Sequence, residues 1–146
     1  MEAYQKEALK LGNQLCFPLY AAARHITGLY TPVLKPLGLT YTQYLVLLVL
    51  WEEERIPMAA LGEKLYLDSG TLTPLLKKME TSGLICRERC REDERCLTVS
   101  LTEEGRALQE RAAEVPFAVG SCVRLSGEEA LELRRLLKKM LEVSYE

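Results

Sequence analysis

The 146-residue chain has few of the features that mark membrane or exported proteins. Its longest uninterrupted apolar run, Tyr44–Trp51, has eight residues. A membrane-spanning helix needs roughly 18 or more. The first residues, MEAYQKEALK, include charged side chains and lack a hydrophobic signal core. We therefore expect no membrane partner and no export, and we predict a cytoplasmic protein.

Catalytic and cofactor-binding motifs are also missing. The chain has a single histidine, His25, and no Cys-x-x-Cys pair, cofactor fingerprint or acid–base constellation. We therefore predict that the protein is not an enzyme and carries no cofactor, with a thiol peroxidase as the enzymatic alternative. Hydrophobic residues make up 48% and charged residues 27% of the chain, which is typical of a globular domain.

No charge of one sign dominates the sequence. The chain has 19 basic and 21 acidic residues and a net charge of −2. Composition alone therefore gives no indication of nucleic-acid binding, and any basic surface must be local.

Five cysteines are nevertheless present, at positions 16, 86, 90, 96 and 122. An odd number without an export signal favours free, catalytic, redox-sensing or metal-binding thiols over a disulfide framework. Cys86, Cys90 and Cys96 are spaced C-x3-C-x5-C, which is not a standard zinc spacing. We predict ordinary strand residues here and no metal site, with a thiophilic metal as the alternative.

Hydrophobic periodicity predicts a mainly helical chain. The first helix is expected over Leu9 to Tyr30, ending before Pro32. Thr40 is a candidate N-cap, Gly83 a helix stop, and Ser126 begins a capping box. The further predicted helices cover residues 41–54, 59–66, 69–82, 102–122 and 126–143.

Two strand-like segments, 84–90 and 96–101, flank the polar turn REDER at 91–95 and predict a β-hairpin. The hairpin directly follows helices 59–66 and 69–82, which a tight turn joins. Two helices joined in this way and followed by a hairpin describe a winged helix-turn-helix. We therefore predict a mainly α fold with a small β-hairpin wing.

The predicted second helix of the motif and the hairpin carry side chains suited to DNA. Short hydroxyls near a helix N-terminus meet phosphates and base edges, lysines suit phosphates, and a wing-tip arginine can enter the minor groove. Residues 77–95 hold six basic and five acidic side chains, so a solvated surface is the alternative on charge alone. The candidates are Ser69, Thr71, Thr73, Lys77 and Lys78 on the helix, Arg87, Arg89 and Arg91 on one strand face, and Arg95 at the tip.

The first predicted helix, within NQLCFPLYAAARHITGLY (13–30), carries a thiol on one face. A helix turns about 100° per residue, which places Cys16, Tyr20, Ala23, Thr27 and Tyr30 on one stripe beside a purely apolar one. A thiolate is the species that attacks a peroxide oxygen, and phenol donors stabilise a thiolate. The pattern is chemically compatible with a peroxide-reactive cysteine, and an inert core thiol is the ordinary alternative for a lone cysteine on an apolar helix.

The segment DERCLTVSLT (93–102) resembles the wing signature D-x-R-x-x-x-V-x-L-T of the MarR family of transcriptional regulators. Residues 65–85, 37–53 and NQLCFPLY are similar to one branch, the organic hydroperoxide resistance repressors. The resemblance covers nearly the whole chain. It implies a homodimer in which helices at about 1–38 and 103–146 intertwine, and a winged part at about 39–102 that binds double-stranded operator DNA.

The resemblance also implies a redox site. Cys16 matches the cysteine that an organic hydroperoxide oxidises, which releases the operator. Tyr30 and Tyr41 match phenols that hydrogen-bond this cysteine from the opposite subunit, and Tyr20 belongs to the same constellation. Cys122 stands in about the region of the resolving cysteine of two-cysteine members, with a small thiol as the alternative.

On the wing, the resemblance implies that Asp93 orients Arg95 and that Arg95 enters the minor groove. A related regulator released by a small phenolic ligand, rather than by oxidation, is the alternative function.

Overall fold

The computed structural model describes residues 2–142. The elements are, in chain order, α1 (Ala3–Ala8), α2 (Cys16–Leu34), α3 (Tyr41–Glu53), β1 (Arg55–Pro57), α4 (Met58–Leu65), α5 (Ser69–Thr81), β2 (Ile85–Arg89), β3 (Leu97–Leu101), α6 (Glu103–Ala112), α7 (Val115–Gly120) and α8 (Gly127–Leu141). Single 3₁₀ turns lie at Leu11–Asn13 and Lys35–Leu37.

The N-terminal region differs from the predicted single helix starting at Leu9. A short helix, α1, is followed by a 3₁₀ turn that contains Gly12 and Asn13, and α2 begins only at Cys16. Glycine and asparagine are poor helix formers, and the Asn13 side chain donates a hydrogen bond to the Glu7 carbonyl at 2.8 Å instead. The thiol of Cys16 is therefore placed at a helix start rather than inside a helix.

Helix α2 also ends later than Tyr30, because it continues through Pro32 to Leu34. Proline within a helix removes one backbone hydrogen bond. The extra turn brings Leu34 into the core, where it is fully buried. Burial of a leucine contributes about 1.5–3 kcal/mol, which offsets much of that cost.

Helices α4 and α5 form the helix-turn-helix. Asp68 caps α5, since its side chain accepts a hydrogen bond from the Thr71 amide at 2.7 Å. The turn passes so close to α4 that a Cβ on Gly62 would lie 2.8 Å from the carbonyl oxygen of Leu67. A glycine is therefore required at this crossing.

The wing belongs to a three-stranded antiparallel sheet with the order β1-β3-β2. The hairpin β2–β3 was predicted; β2 is one residue shorter at each end than expected, and β3 begins one residue later. The segment Arg55–Pro57, which the sequence indicated as a break, is the third strand and pairs with Thr98–Ser100. Together with the helix-turn-helix, this sheet confirms the predicted mainly helical winged fold.

The helix predicted over 102–122 is interrupted. Helix α6 ends at Ala112 and α7 begins at Val115, with Pro116 in its first turn. Pro116 has no N–H to donate to the Ala112 carbonyl, and its ring would clash with that oxygen. Both effects favour a break between α6 and α7.

The last helix, α8, begins at the predicted capping box. Ser126 accepts a hydrogen bond from the Glu129 amide, and the Glu129 carboxylate accepts one from the Ser126 amide. The predicted end, Val143, lies outside the described residues.

The core lies where α3, α4, α5 and the sheet meet. The indole of Trp51 on α3 ties this core to α6, because its N–H donates to the Gly105 carbonyl at 2.9 Å. Fully buried side chains include Leu47, Leu50, Leu61, Leu72, Leu76, Met79, Ile85 and Val99. Across residues 2–142 no single helix is long and apolar enough to cross a bilayer; the pair Cys16–Leu37 and Tyr41–Glu53, bent by 73°, meets that criterion only jointly.

Candidate DNA-binding surface and cysteine sites

Helix α5 presents a polar face because its apolar face is fixed in the core by Leu72, Leu76 and Met79. The first turn of α5, which follows the N-cap Asp68, lies at the protein surface. Thr73 is half-buried and the other four candidate side chains of this helix are exposed: Ser69, Thr71, Lys77 and Lys78.

Arg87 and Arg89 are two residues apart on β2 and therefore lie on one strand face, whereas Arg91 lies beyond the strand. Arg87 is turned toward α5, where its guanidinium donates to Glu80 at 3.1 Å and its amide to the same carboxylate at 2.9 Å. These hydrogen bonds lower the pKa of Glu80. The Arg87 side chain is only 17% exposed, and in the described part of the chain its Nε is a buried nitrogen without a partner. Arg89 is exposed at the end of β2, and Arg91 lies beyond the strand, in the turn.

The tip of the wing is ordered by one aspartate. The Asp93 carboxylate accepts a hydrogen bond from the backbone amide of Arg95 at 2.9 Å, and its carbonyl accepts one from the Cys96 amide at 3.0 Å. The contact therefore fixes the backbone of Arg95 and leaves the exposed guanidinium available. Asp93, Arg95 and Cys96 line one side of an open groove of about 860 Å³, opposite α4 and the start of α5.

Cys90 and Cys96 are joined by a disulfide, which the sequence reasoning missed. The expectation of ordinary strand residues was wrong for this pair. Residues that immediately flank a hairpin turn face each other across the strands, and this geometry was the available signal. Cys16, Cys86 and Cys122 are free and exposed. Among residues 2–142 no cluster of His, Cys, Asp or Glu side chains is arranged to hold a metal ion.

Cys16 is the first residue of α2 and is exposed. The positive end of the helix dipole favours negative charge at this position. Its neighbours Leu15 and Phe17 are apolar and exposed. Tyr20, one turn further, is also exposed, with the Arg24 guanidinium 5.5 Å from its ring centroid.

Tyr30 and Tyr41 lie together, with ring centroids 4.6 Å apart, and Tyr44 stands 5.8 Å from Tyr30. Tyr44 lies one turn along α3 from Tyr41 and is buried in the core. Burial, and to a smaller extent the neighbouring Tyr30, raises the pKa of Tyr41, so this phenol stays protonated and able to donate at neutral pH. Cys16 is not in this cluster: fourteen residues of helix separate it from Tyr30, a distance of about 21 Å at 1.5 Å per residue.

Cys122 follows the end of α7, a helix that packs against α2. Its thiol donates to the Ala118 carbonyl at 3.5 Å. It is exposed and is therefore accessible to reagents and to other thiols.

The terminal helices leave a large apolar surface uncovered. None of the α8 residues, all of which the structure describes, is buried. Several large apolar side chains near the N-terminus and on α8 are at least 40% exposed, among them Leu9, Leu11, Leu15, Phe17, Leu131, Leu133, Leu136 and Met140. Many exposed large apolar side chains on the terminal helices are typical of an interaction surface.

Comparison with known proteins gives a consistent result. Residues 28–111 match the family model described as transcriptional regulator SarA/Rot. The organic hydroperoxide resistance transcriptional regulator of Bacillus subtilis (strain 168) is 49% identical over 138 residues, which cover 94% of each chain.

Solved structures extend the likeness to three dimensions. Reduced AbfR bound to DNA is 42% identical with a TM-score of 0.75, over 95% of this chain and 99% of that one; AbfR is a protein of Staphylococcus epidermidis. A cysteine-to-serine mutant of MarR from E. coli, complexed with operator DNA, is 26% identical with a TM-score of 0.79, over 97% of this chain and 99% of that one. The chain therefore belongs to the MarR and SarA/Rot group of winged-helix transcriptional regulators, in the branch of the organic hydroperoxide resistance regulators.

Proposed function

We propose that the chain is a peroxide-sensing transcriptional repressor without enzymatic activity. As a homodimer in the cytoplasm it binds a pseudo-palindromic double-stranded operator, and oxidation of Cys16 by an organic hydroperoxide releases that DNA. The observation that carries the proposal is Cys16 itself, an exposed thiol at the first position of α2. It stands in a chain 49% identical to an organic hydroperoxide resistance regulator.

Helix α5 is the element proposed to enter the major groove. Its exposed hydroxyls, Ser69 and Thr71, lie in the first turn, where contacts to base edges and phosphates are made in helix-turn-helix proteins. Lys77 and Lys78 are placed for phosphates. On the wing, Arg95 is proposed to enter the minor groove, and Arg89 and Arg91 are proposed to lie near the DNA phosphates. Arg87 instead stabilises the fold through its ion pair with Glu80.

The terminal helices support the proposed dimer. An isolated 15-residue amphipathic helix is marginal in water, and most helix stability in proteins comes from packing of the apolar face. Helix α8 has this face but buries none of it within the described chain. A second copy that packs its own α8 and N-terminal segment against this surface would cover it and set the spacing of the two α5 helices.

The same dimer completes the redox site. Tyr30 and Tyr41 cannot reach Cys16 of their own chain, because α2 is a rigid rod that holds them about four turns away. Two α2 helices running antiparallel would bring the Cys16 end of one chain to the Tyr30 end of the other. The phenols then donate to the thiolate from the opposite subunit.

The chemistry uses the peroxide as oxidant. The Cys16 thiolate attacks one peroxide oxygen, the O–O bond breaks, an alcohol leaves, and the sulfur becomes a sulfenic acid. A second thiol then displaces water and forms a disulfide. Cys122 of the partner chain is the proposed resolving thiol, with a small thiol as the alternative. A disulfide needs Cα atoms within about 7 Å, so closing it moves one helix against another and changes the spacing of the α5 pair.

The test measures DNA release by cumene hydroperoxide. A duplex selected from a random pool by the reduced protein serves as the DNA probe, and fluorescence anisotropy reports binding. Wild-type protein should release the duplex at about one peroxide per Cys16, whereas Cys16→Ser should stay bound. Cys86→Ser is the matched control, because it removes an exposed free thiol from β2 and should behave as wild type.

Three results would contradict the proposal. Release of Cys16→Ser by the peroxide would remove this cysteine from the mechanism. Release of Cys16→Ser by a phenolic compound, without any effect of peroxide on wild type, would favour a ligand-controlled regulator. Steady peroxide turnover with a thiol reductant would indicate an enzyme.

A second experiment addresses the phenols. Tyr30→Phe removes one hydroxyl and keeps the ring that packs on Tyr41. It should slow sulfenic acid formation at Cys16 and leave reduced-state DNA binding unchanged. Oxidation at the wild-type rate would exclude a role for this hydroxyl.

A further inference from the structure

We propose that Cys90 and Cys96 form a second redox site, a reversible dithiol–disulfide pair that controls the order of the wing tip independently of Cys16. This second site goes beyond the proposed function, and it rests on that function only where DNA affinity is measured. Its oxidant is the same chemical class, an organic hydroperoxide.

The pairing is built into the hairpin register. Arg89 pairs with Leu97, and the next opposed residues are Cys90 and Cys96. The Cys90 amide donates to the Cys96 carbonyl at 2.8 Å, and the Cα atoms are 5.4 Å apart. Disulfides span Cα distances of about 4.4–6.8 Å, so strand pairing alone brings the two sulfurs within bonding reach. The bond can open and close without moving the strands.

The turn that the disulfide closes has little else to hold it. Its residues 91–95 are all charged and all exposed, and they contribute nothing to the core. The contacts that order the turn come from Asp93, to the amides of Arg95 and Cys96. Opening the disulfide therefore leaves a five-residue charged loop held only by the strand pairing at its ends and by the Asp93 contacts. Ordering such a loop on DNA costs conformational entropy.

The affected loop carries the arginine proposed for the minor groove. Arg95 directly precedes Cys96 in the chain, so the disulfide restrains the turn next to this arginine. The closed pair restricts the backbone of Arg95 more than the open pair does. The disulfide form should consequently bind DNA more tightly than the dithiol form, by roughly threefold to tenfold, which is near the lower end of the free-energy cost of ordering one residue.

An oxidant can reach the pair. Cys96 lines the open groove between the wing and α4, whose wall there is partly apolar through Pro57, Met58 and Leu97. Such a wall suits an organic peroxide better than hydrogen peroxide. The Thr98 hydroxyl lies 3.3 Å from the Cys90 sulfur, within hydrogen-bonding distance.

The reaction balances with the peroxide alone. The Cys96 thiolate attacks one peroxide oxygen, the O–O bond breaks, and the alcohol leaves while the sulfur becomes a sulfenic acid. The Cys90 thiol then attacks this sulfur, and water leaves as the S–S bond forms. Two electrons pass from the sulfurs to the peroxide. A dithiol such as dithiothreitol returns them and restores both thiols.

The first test is chemical and needs no DNA. The Cys16→Ser protein is reduced, treated with cumene hydroperoxide and alkylated with N-ethylmaleimide. Mass spectrometry of the intact protein then counts the alkyl groups. The proposal expects two fewer alkyl groups than in the untreated sample and full recovery after dithiothreitol. Cys86→Ser in the same background should respond identically, and Cys90→Ser or Cys96→Ser should not form the bond. Four free thiols after treatment would overturn the proposal, whatever the Cys16 switch does.

The second test measures affinity for the selected duplex in the same Cys16→Ser background. The bonded protein should bind threefold to tenfold more tightly than the reduced one, and Cys90→Ser should abolish this difference. A bond that forms without changing affinity would overturn its control of the wing tip.

Discussion

Thr102 connects the wing to the helices that follow it, and its hydroxyl does so through two hydrogen bonds. It donates to the Gly83 carbonyl at 2.6 Å and accepts from the Gly105 amide at 3.1 Å as the N-cap of α6. Thr102→Val removes the hydroxyl and keeps the shape of the side chain.

The expected loss can be worked from these contacts. Losing an N-cap costs about 1 kcal/mol. The half-buried Gly83 carbonyl also loses its donor, which costs about another 1 kcal/mol. The free energy of unfolding should therefore fall by about 2 kcal/mol. For a chain of this size the melting temperature should fall by roughly 4–8 °C.

Urea unfolding followed by circular dichroism measures this change, with all samples at one protein concentration because the proposed dimer makes stability concentration-dependent. Thr102→Ser is the matched control, since it keeps the hydroxyl and should lose much less. A valine variant within about 0.5 kcal/mol of wild type would refute the reasoning, because two working hydrogen bonds cannot cost so little. Equal losses for valine and serine would show that the methyl group, rather than the hydroxyl, carries the effect.

Three other changes test the wing, its junction and its ion pair. Arg95→Ala should weaken binding to the selected duplex by about 1–3 kcal/mol at physiological salt; Arg124→Ala, an exposed control with the same charge change, should not, and equal losses would reduce the wing to a charge effect. Gly105→Ala should lower the unfolding free energy by roughly 2–3 kcal/mol, because the added methyl group would overlap a backbone carbonyl oxygen at the start of the wing; an unchanged urea midpoint would disprove this overlap. Glu80→Gln should cost at most about 1 kcal/mol at pH 7, since the pair with Arg87 is partly exposed. The pKa of Glu80 is lowered in the folded state, so the stabilisation by this ion pair is present above pH 4.5, the ordinary pKa of a glutamate, and is lost as the pH falls through the folded pKa. A stability difference between Glu80→Gln and wild type that persists at lower pH would argue against the ion pair.

Much of the fold was predictable because its signals are local. Thr40, Ser126 and Thr102 cap helices where the sequence indicated, since a cap is decided by residues three positions apart. The helix-turn-helix and the hairpin likewise follow from hydrophobic period and turn residues within short windows.

The tertiary structure decided what depends on distant partners. Arg55–Pro57 is a strand only because β3 offers it an edge, and three residues carry no period of their own. Arg87 is withdrawn from the surface because Glu80, on a different element, is within reach. Cys90 and Cys96 are bonded because the register places them opposite each other, and Tyr30 meets Tyr41 because α2 folds back on α3. The sequence by itself determined which helices form and which side chains they present, since those choices are made among near neighbours. Which of these side chains meet was set by long-range packing, because contacts between elements form only where the whole core places them.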